Sequence, residues 1–453
     1  MVKIRKDTGN SNSEVLFADI MDLEAAAWEN KFYIRQPNKI TARALFQSFF
    51  EMHQAGKNTL KSWSTHISLI IGKPLSEQSL DERLNEGVVN LAKAVLKTIL
   101  DAKINKAQIE HKKKTCSEFS HFFNRILIRD STTQQLPAHL ADDFPGSHSH
   151  GKPTAIARIQ SLFSYTDAKW LNFEVSAYTA NDQKAADCIK NDLQPKDLVL
   201  QDLGYFTLDW LEQLVKNQYV VSYWKPGTNL YSMSGKKIEL LQLLKGKKEI
   251  DMSVLVGAKK RLPMSLVIKK LPEGKAKKKI KEAKKNRHSK SNHSSEYYNL
   301  LQYEIYLTNI PSSMLNVKNI AKIYGLRWYI ETLFKSWKSH ANFKSLFEKN
   351  KMKLERTLFT IYAVLIEFVY LQNYVLDYFQ NKIKFGDKVF ISCHRFMDLI
   401  GDIFSSIIRV KTYEDLMFYA DLIKHKAVYK KHSKRKNTIE KYLYTQKLCV
   451  IKT

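Results

Sequence analysis

Tyr324, Arg327, Glu331 and Lys338 are the residues whose types and spacing best suit chemistry. On a helix turning about 100° per residue they fall at roughly 0°, 300°, 340° and 320°, with Lys335 near 20°. One narrow stripe thus carries a phenol, a guanidinium, a carboxylate and two ammonium groups. Ile323, Leu326, Ile330, Leu333 and Trp337 fall on another side, between roughly 180° and 260°, which marks the core face. The simplest account is a solvated face with an Arg327–Glu331 pair at i,i+4, worth a few tenths of a kcal/mol. A carboxylate set among cations beside an aromatic ring suits something more particular, a phosphate held together with a metal ion.

Two further acids stand at the ends of short apolar runs. Arg125-Ile126-Leu127-Ile128-Arg129 leads into Asp130, and Asp197-Leu198-Val199-Leu200-Gln201 leads into Asp202. Each acid alone has an easy structural role, because Asp130-Ser131-Thr132 and Asp202-Leu203-Gly204 both suit turns or caps. Together with Glu331 they place three carboxylates at the edge of one sheet. Hard Mg²⁺ or Mn²⁺ takes such oxygen ligands and keeps positions open for phosphate and water. Two such ions about 4 Å apart can activate water and stabilise a leaving 3′ oxygen in phosphodiester cleavage. His148-Ser149-His150 follows Pro145-Gly146 in a polar stretch that favours a bystander role.

The elements that must position these residues follow from periodicity. Residues from about Val15 to Lys114 read as helices, and Val88–Leu100 shows the clearest apolar repeat. After Phe122 the pattern turns to strands: the run ending at Asp130, then Thr154–Tyr165 and Trp170–Tyr178 joined by a turn at Thr166-Asp167. Asn181–Asn191 is expected as a helix, Asp197–Asp202 as a strand, Thr207–Lys216 as a helix and Tyr219–Trp224 as a strand. This order predicts a mixed sheet with helices packed on it. Lys225-Pro226-Gly227 breaks the pattern, and a β-rich, strongly basic segment intervenes before the strand Tyr298–Thr308 and the helix Val317–His340. Leu354–Phe379 reads as a long apolar helix interrupted by Glu367, Gln372 and Asn373, hence a buried helix rather than a membrane span.

The 453 residues carry 73 Lys+Arg against 45 Asp+Glu, a formal charge of +28. A charge of that sign calls for a polyanion, with nucleic acid first and an anionic membrane surface second. Lys259–Lys290 holds twelve Lys and two Arg against two Glu, and Lys424–Lys447 holds eight Lys and one Arg against one Glu. Within the first, the run Lys275–Lys290 serves to track a DNA backbone or is a mobile, solvated loop, and the tail from Lys424 binds DNA or only aids solubility. Met1–Glu14 is polar and lacks the apolar core of a secretory leader. Cys116, Cys188, Cys393 and Cys449 lie far apart, so a disulfide framework and a zinc finger are not expected, and a reducing cytoplasm fits. No Gly-Lys pair is followed by Ser or Thr, which excludes a phosphate-binding loop of the Walker type.

Tyr324-Gly325-Leu326-Arg327-Trp328-Tyr329-Ile330-Glu331, with Phe334-Lys335-Ser336-Trp337-Lys338, resembles the Y-(2)-R-(3)-E-(6)-K motif of the insertion-sequence-4 family of DDE transposases. Asp130-Ser131-Thr132 resembles that family's first acidic motif and Asp202-Leu203-Gly204-Tyr205-Phe206 its second. The long interval from 202 to 331 matches the family habit of inserting a β-rich segment there. The resemblance implies an α+β, RNase H-like catalytic core over 116–225 and 297–352, interrupted by a basic β-rich insertion over 226–296. Flanking it would be a helical DNA-binding region over 1–115 and a helical region with a basic tail over 353–453, a candidate for dimerisation. Asp130, Asp202 and Glu331 would be catalytic and bind two Mg²⁺, with Mn²⁺ substituting. Tyr324, Arg327, Lys335 and Lys338 would grip DNA phosphates. The resemblance further implies a cut-and-paste transposase acting through a hairpin intermediate. Its partners would be double-stranded DNA with terminal inverted repeats, a target DNA, and a second copy of the chain in the synaptic complex. The setting would be the bacterial cytoplasm at the nucleoid, with no membrane. Tyr303 would stack on a displaced base or, more simply, pack in the core. The alternative is a catalytically inactive, transposase-derived DNA-binding regulator.

Overall fold

A computed structural model describes residues 21–101, 122–147, 153–285, 294–340, 352–376, 391–407 and 413–428, except positions 38 and 181, together with Phe343, Leu346, Phe347 and Phe379. Residues 1–20 and 102–115 of the expected N-terminal region, His148–His150, the last residues of the Lys275–Lys290 run and the tail beyond 428 lie outside it.

The N-terminal part is helical, as its periodicity predicts: α1 (Leu23–Glu29), α2 (Ala42–Gln54), α3 (Leu60–Ile71), α4 (Glu77–Arg83) and α5 (Glu86–Asp101). Asp22, Thr41, Thr59 and Ser76 each cap a helix by accepting hydrogen bonds from its first-turn N–H groups. The apolar stripe of α2, with Leu45, Phe46, Phe49 and Phe50, is buried.

One nine-stranded sheet follows. Its strands are β1 (Ile126–Leu136), β2 (Ala155–Ser164), β3 (Lys169–Ala177), β4 (Leu198–Gln201), β5 (Tyr219–Tyr223), β6 (Leu230–Tyr231), β7 (Glu249–Val256), β8 (Leu262–Lys270) and β9 (Tyr303–Thr308). The order is β3-β2-β1-β4-β5-β9-β8-β7-β6. β1, β2 and β3 are antiparallel, β4 and β5 run parallel to β1, and β9 runs antiparallel to both β5 and β8. This is the mixed core expected of the sequence. The inserted strands do not form a separate layer, because β8 pairs with β9 and continues the same sheet. The short strand β4 is buried throughout, which its unbroken Leu198-Val199-Leu200 run requires of a strand covered on both faces.

The remaining helices are α6 (Leu208–Leu214), α7 (Leu240–Leu243), α8 (Glu273–Lys285), α9 (Ser295–Leu300), α10 (Val317–Tyr324), α11 (Trp328–His340), α12 (Leu354–Val369), α13 (Cys393–Ile407) and α14 (Tyr413–Lys426). Three of them correct the sequence reading. The basic segment after Lys270 is the helix α8 rather than more strand or a loop. Residues from Ser295 to Leu300 form α9, so the expected strand from Tyr298 begins only at Tyr303. The expected helix Val317–His340 is broken by a 3₁₀ turn at Gly325–Arg327.

A fourth correction concerns the helix expected over Asn181–Asn191, of which the described residues 182–191 are not α-helical. They form turns and a 3₁₀ segment at Lys190–Asp192. The buried guanidinium of Arg129 donates to the carbonyls of Ala185 and Ala186, diverting two acceptors that a helical ladder would need.

Two cores cover the faces of the sheet. One joins Ile126, Ile128, Phe163 and Trp170 to the helices at both ends of the chain, and the other joins Leu127, Leu162, Val199, Trp210 and Leu307. The segment Leu354–Leu376 has the length and apolarity of a membrane span, but most of it is buried inside the protein. Its Phe359 ring stacks on Trp63 at 5.6 Å. The polar residues that interrupt its apolar run also have partners. Glu367 accepts from Gln54 at 2.7 Å and pairs with His53 at 2.5 Å, and Asn373 exchanges hydrogen bonds with the backbone of Trp170 on the edge strand β3.

Candidate active site

Register brings the first two acids together. β4 runs parallel to β1 with Arg129 opposite Gln201, the last pair of that ladder. The next residue on each strand is an acid, Asp130 and Asp202. β1 continues beyond this point paired with β2 alone, whereas the chain after Gln201 leaves the sheet through a 3₁₀ turn at Leu203–Tyr205. Asp202 enters that turn with extended backbone, and its carboxylate makes no capping hydrogen bond.

The third acid arrives on α11. Arg327 reaches both ways: its Nη1 donates to Asp130 Oδ2 at 2.8 Å and its Nη2 to Glu331 Oε1 at 2.6 Å. The Asp130 carboxylate also accepts from the Ser131 N–H at 2.8 Å. Burial pushes the Asp130 carboxyl up to about 6. Arg327 and the Ser131 N–H oppose that rise, and the charges of Asp202 and Glu331 add to it. Burial also works against the Arg327 charge. The oxygens of Tyr324, Asp130, Asp202 and Glu331 outweigh it and hold the guanidinium above the ordinary arginine range.

Three carboxylates therefore share one arginine, which leaves an excess of negative charge in a partly buried place. The donor set and the charge both fit a divalent cation with hard oxygen ligands. The fit lies in the chemistry rather than in a finished cage. Among the described residues no three Asp, Glu, His or Cys side chains converge closely enough to hold a metal ion as they stand.

Tyr324 is not on the solvated stripe. It is buried, and its hydroxyl donates to the carbonyl of Gln201 at 3.1 Å, one residue before Asp202. Its ring packs against Tyr223 at 4.7 Å and Tyr306 at 5.2 Å. The Lys279 ammonium of α8 stands 5.8 Å over Tyr223, so the basic insertion reaches the flank of this aromatic wall.

Lys335 and Lys338 are both exposed; the Lys335 ammonium stands 4.9 Å over the half-exposed Trp328 ring, and partial desolvation of the Lys338 ammonium lowers its affinity for its proton. Neither is ion-paired with the acids among the described residues. Tyr303 packs at the margin of the second core with Lys270 5.9 Å over its ring, in keeping with a structural role. The sequence reading missed Arg129, whose guanidinium is buried and stacks 4.2 Å from the Tyr205 ring. An arginine directly after the apolar run Ile126–Ile128 and before Asp130, on the same strand, was the available signal, since a buried charge needs dedicated partners.

Comparison with known proteins adds a family. A family model described as transposase DDE domain matches residues 121–366. The chain is 28% identical over 378 residues to a transposase for insertion sequence element IS1151 of Clostridium perfringens, covering 77% of this chain and 76% of the relative. It is 28% identical over 341 residues to the IS231E transposase of Bacillus thuringiensis subsp. finitimus, covering 69% and 68%. Among solved structures, a piggyBac transposase synaptic complex with hairpin DNA aligns over 90% of this chain and 82% of that one. The identity there is 10% and the TM-score 0.42.

Proposed function

The chain belongs to the transposase DDE domain family, and from that premise we propose that Asp130, Asp202 and Glu331 are the catalytic acids of an insertion-sequence transposase of the insertion-sequence-4 type. One observation carries the assignment: Arg327 bridges Asp130 to Glu331, and the β1–β4 register sets Asp202 beside Asp130.

The three carboxylates would hold two Mg²⁺ ions, with Mn²⁺ as a substitute. Bound there, such ions supply Lewis acidity toward a phosphoryl oxygen and a more acidic water. The residues of the chain do the rest. Arg327 exchanges a carboxylate for a DNA phosphate when the end is bound, because a planar guanidinium suits both. Tyr324 anchors the backbone beside Asp202 through its hydroxyl, and burial keeps its phenol protonated for that purpose. Lys335 and Lys338 extend the cationic stripe along α11 toward the phosphates that flank the cut.

In this reading the substrates are double-stranded DNA ends carrying inverted repeats, and a target duplex. The free 3′-OH attacks the opposite strand to make a hairpin, which is reopened before joining. Residues 1–115 contribute DNA binding, 226–296 form an insertion in the core of 116–225 and 297–352, and 353–453 contribute to a homodimer that pairs two ends. The protein acts at the bacterial nucleoid.

The test uses DNA from both flanks of the gene with purified wild type and the Asp202→Ala variant, with and without Mg²⁺. Mg²⁺-dependent cutting at inverted-repeat ends by the wild type alone supports the reading. Binding to those ends without cutting in Mg²⁺ or Mn²⁺ refutes it in favour of a non-catalytic DNA-binding protein.

A further inference from the structure

Behind the acids lies a polar cluster that this chemistry does not use. Asp182 sits in the connection between β3 and β4. Its Oδ1 accepts three hydrogen bonds: from Ser131 Oγ at 3.0 Å, Gln160 Nε2 at 2.9 Å and Arg158 Nη1 at 2.8 Å. Arg158 is fixed in turn, with its guanidinium 4.6 Å from the Tyr178 ring and Nη2 donating to the Tyr178 carbonyl at 3.3 Å. Gln160 Oε1 accepts from the buried hydroxyl of Tyr205. The second oxygen of Asp182 lies against Gly204, where a Cβ would stand 2.7 Å from it.

A single carboxylate thus touches the residue after Asp130 and the second residue after Asp202. Ser131 alternates with Asp130 along β1, so Asp182 stands on the other face of the sheet from Arg327 and Glu331. Its Ser131 and Gln160 partners face each other across the β1–β2 ladder, which makes the cluster one continuous brace.

The brace sits where the β1–β4 pairing ends. The β1–β4 ladder ends at Gln201, so no backbone pairing holds Asp202 to Asp130. The two acids repel each other, and on the face that they share the charge of Arg327 and the Tyr324 hydroxyl on the Gln201 carbonyl act against their separation. Asp182 supplies resistance from the other side. It ties β1 to β2 directly and reaches the turn after Asp202 through Gln160, whose Oε1 accepts from the Tyr205 hydroxyl, while glycine at 204 leaves room for its second oxygen.

We propose that Asp182 is a positioning residue that sets the separation of Asp130 and Asp202 and thereby the affinity of the site for its divalent cations. This rests on the assignment of Asp130 and Asp202 as metal-binding acids. Outer partners that orient metal ligands are typically worth about 10- to 100-fold in metal affinity.

Calorimetric titration of metal-stripped protein with Mn²⁺ tests it, run beside thermal unfolding and end-DNA binding. The Asp182→Ala variant is expected to bind Mn²⁺ about tenfold or more weakly, with end binding unchanged. Its Mg²⁺ requirement for nicking rises by the same factor, and the rate recovers at saturating metal. Asp182→Asn keeps an acceptor oxygen and falls between the two. Gly204→Ala weakens Mn²⁺ binding on its own. The double variant is no worse than Asp182→Ala, because the oxygen that the new methyl would meet is gone. Should Asp182→Ala fail to fold, Asp182→Asn and Gly204→Ala carry the same comparison.

Wild-type Mn²⁺ affinity in these variants overturns the proposal and leaves the assignment of the acids standing. Strictly additive losses in the double variant overturn it too, because Asp182 and Gly204 are then not coupled. A wild type that binds no Mn²⁺ overturns both, since Asp182 would have no site to position.

Discussion

Replacing Asp130 by Asn is expected to stabilise the metal-free protein at pH 8 while abolishing strand cleavage. The Asp130 carboxyl is raised from the ordinary 3.8 to about 6, first by burial and then by the charges of Asp202 and Glu331, against the pull of Arg327 and the Ser131 N–H. A raised carboxyl means that the folded state disfavours the ionised form. The difference of about 2 units corresponds to about 3 kcal/mol. The sign follows from linkage. Stability from this group is fully present below pH 3.8, is lost as pH rises through about 6, and is absent above that. Asn carries no charge at any pH. The variant should therefore exceed the wild type by up to about 3 kcal/mol at pH 8, and the gap should close toward pH 4. Urea unfolding in EDTA at pH 4.5, 6 and 8 measures it. Mg²⁺ should then raise the stability of the wild type at pH 8 and leave the variant nearly unmoved. A variant that is less stable than wild type at pH 8, or a gap that does not change with pH, refutes the reasoning that the acids repel one another in a partly buried site.

Tyr324→Phe removes the hydroxyl that holds Gln201, and urea unfolding should show a loss of about 1 kcal/mol with end cleavage falling more than end binding. On α8, Lys275, Lys281, Lys284 and Lys285 are exposed, whereas Lys277 and Lys278 pair with Glu273 and Glu282. If α8 tracks the DNA backbone, changing those four to Gln lowers the slope of log K against log salt by about 0.9 for each phosphate that they neutralise in the wild type. An unchanged slope removes α8 from the interface. Trp63 is buried, stacks on Phe359 and donates from its indole to Ser48 Oγ at 2.9 Å. Trp63→Ala should cost about 3–5 kcal/mol in unfolding experiments, which would show that the N-terminal helices and α12 share one core.

The elements that depend on local pattern were legible in the residues themselves. The hairpin of β2 and β3, the buried helix α12 and the pairing of Arg327 with Glu331 all follow from periodicity or i,i+4 spacing, which a single sequence displays. The failures have one distant and one local origin. Asn181–Asn191 has helical composition, but Arg129, distant in the chain, takes its carbonyls. Tyr324 shares a helical-wheel stripe with Glu331 only if the helix is continuous. The 3₁₀ turn at Gly325–Arg327 advances about 120° per residue instead of 100°, so the two residues part, and Tyr324 enters the core.

Residue type and spacing by themselves picked out the side chains proposed to carry the chemistry: three acids, an arginine and a cationic stripe. The tertiary structure alone decided their company. Asp130 meets Asp202 because β4 pairs with β1 in one register, and meets Arg327 because α11 lies over β1. Asp182 stands behind both acids because a loop without regular structure folds onto the one glycine that admits it. Contacts between segments so far apart in sequence leave no periodicity to read. They are set by strand register and packing, which emerge only when the whole chain has condensed.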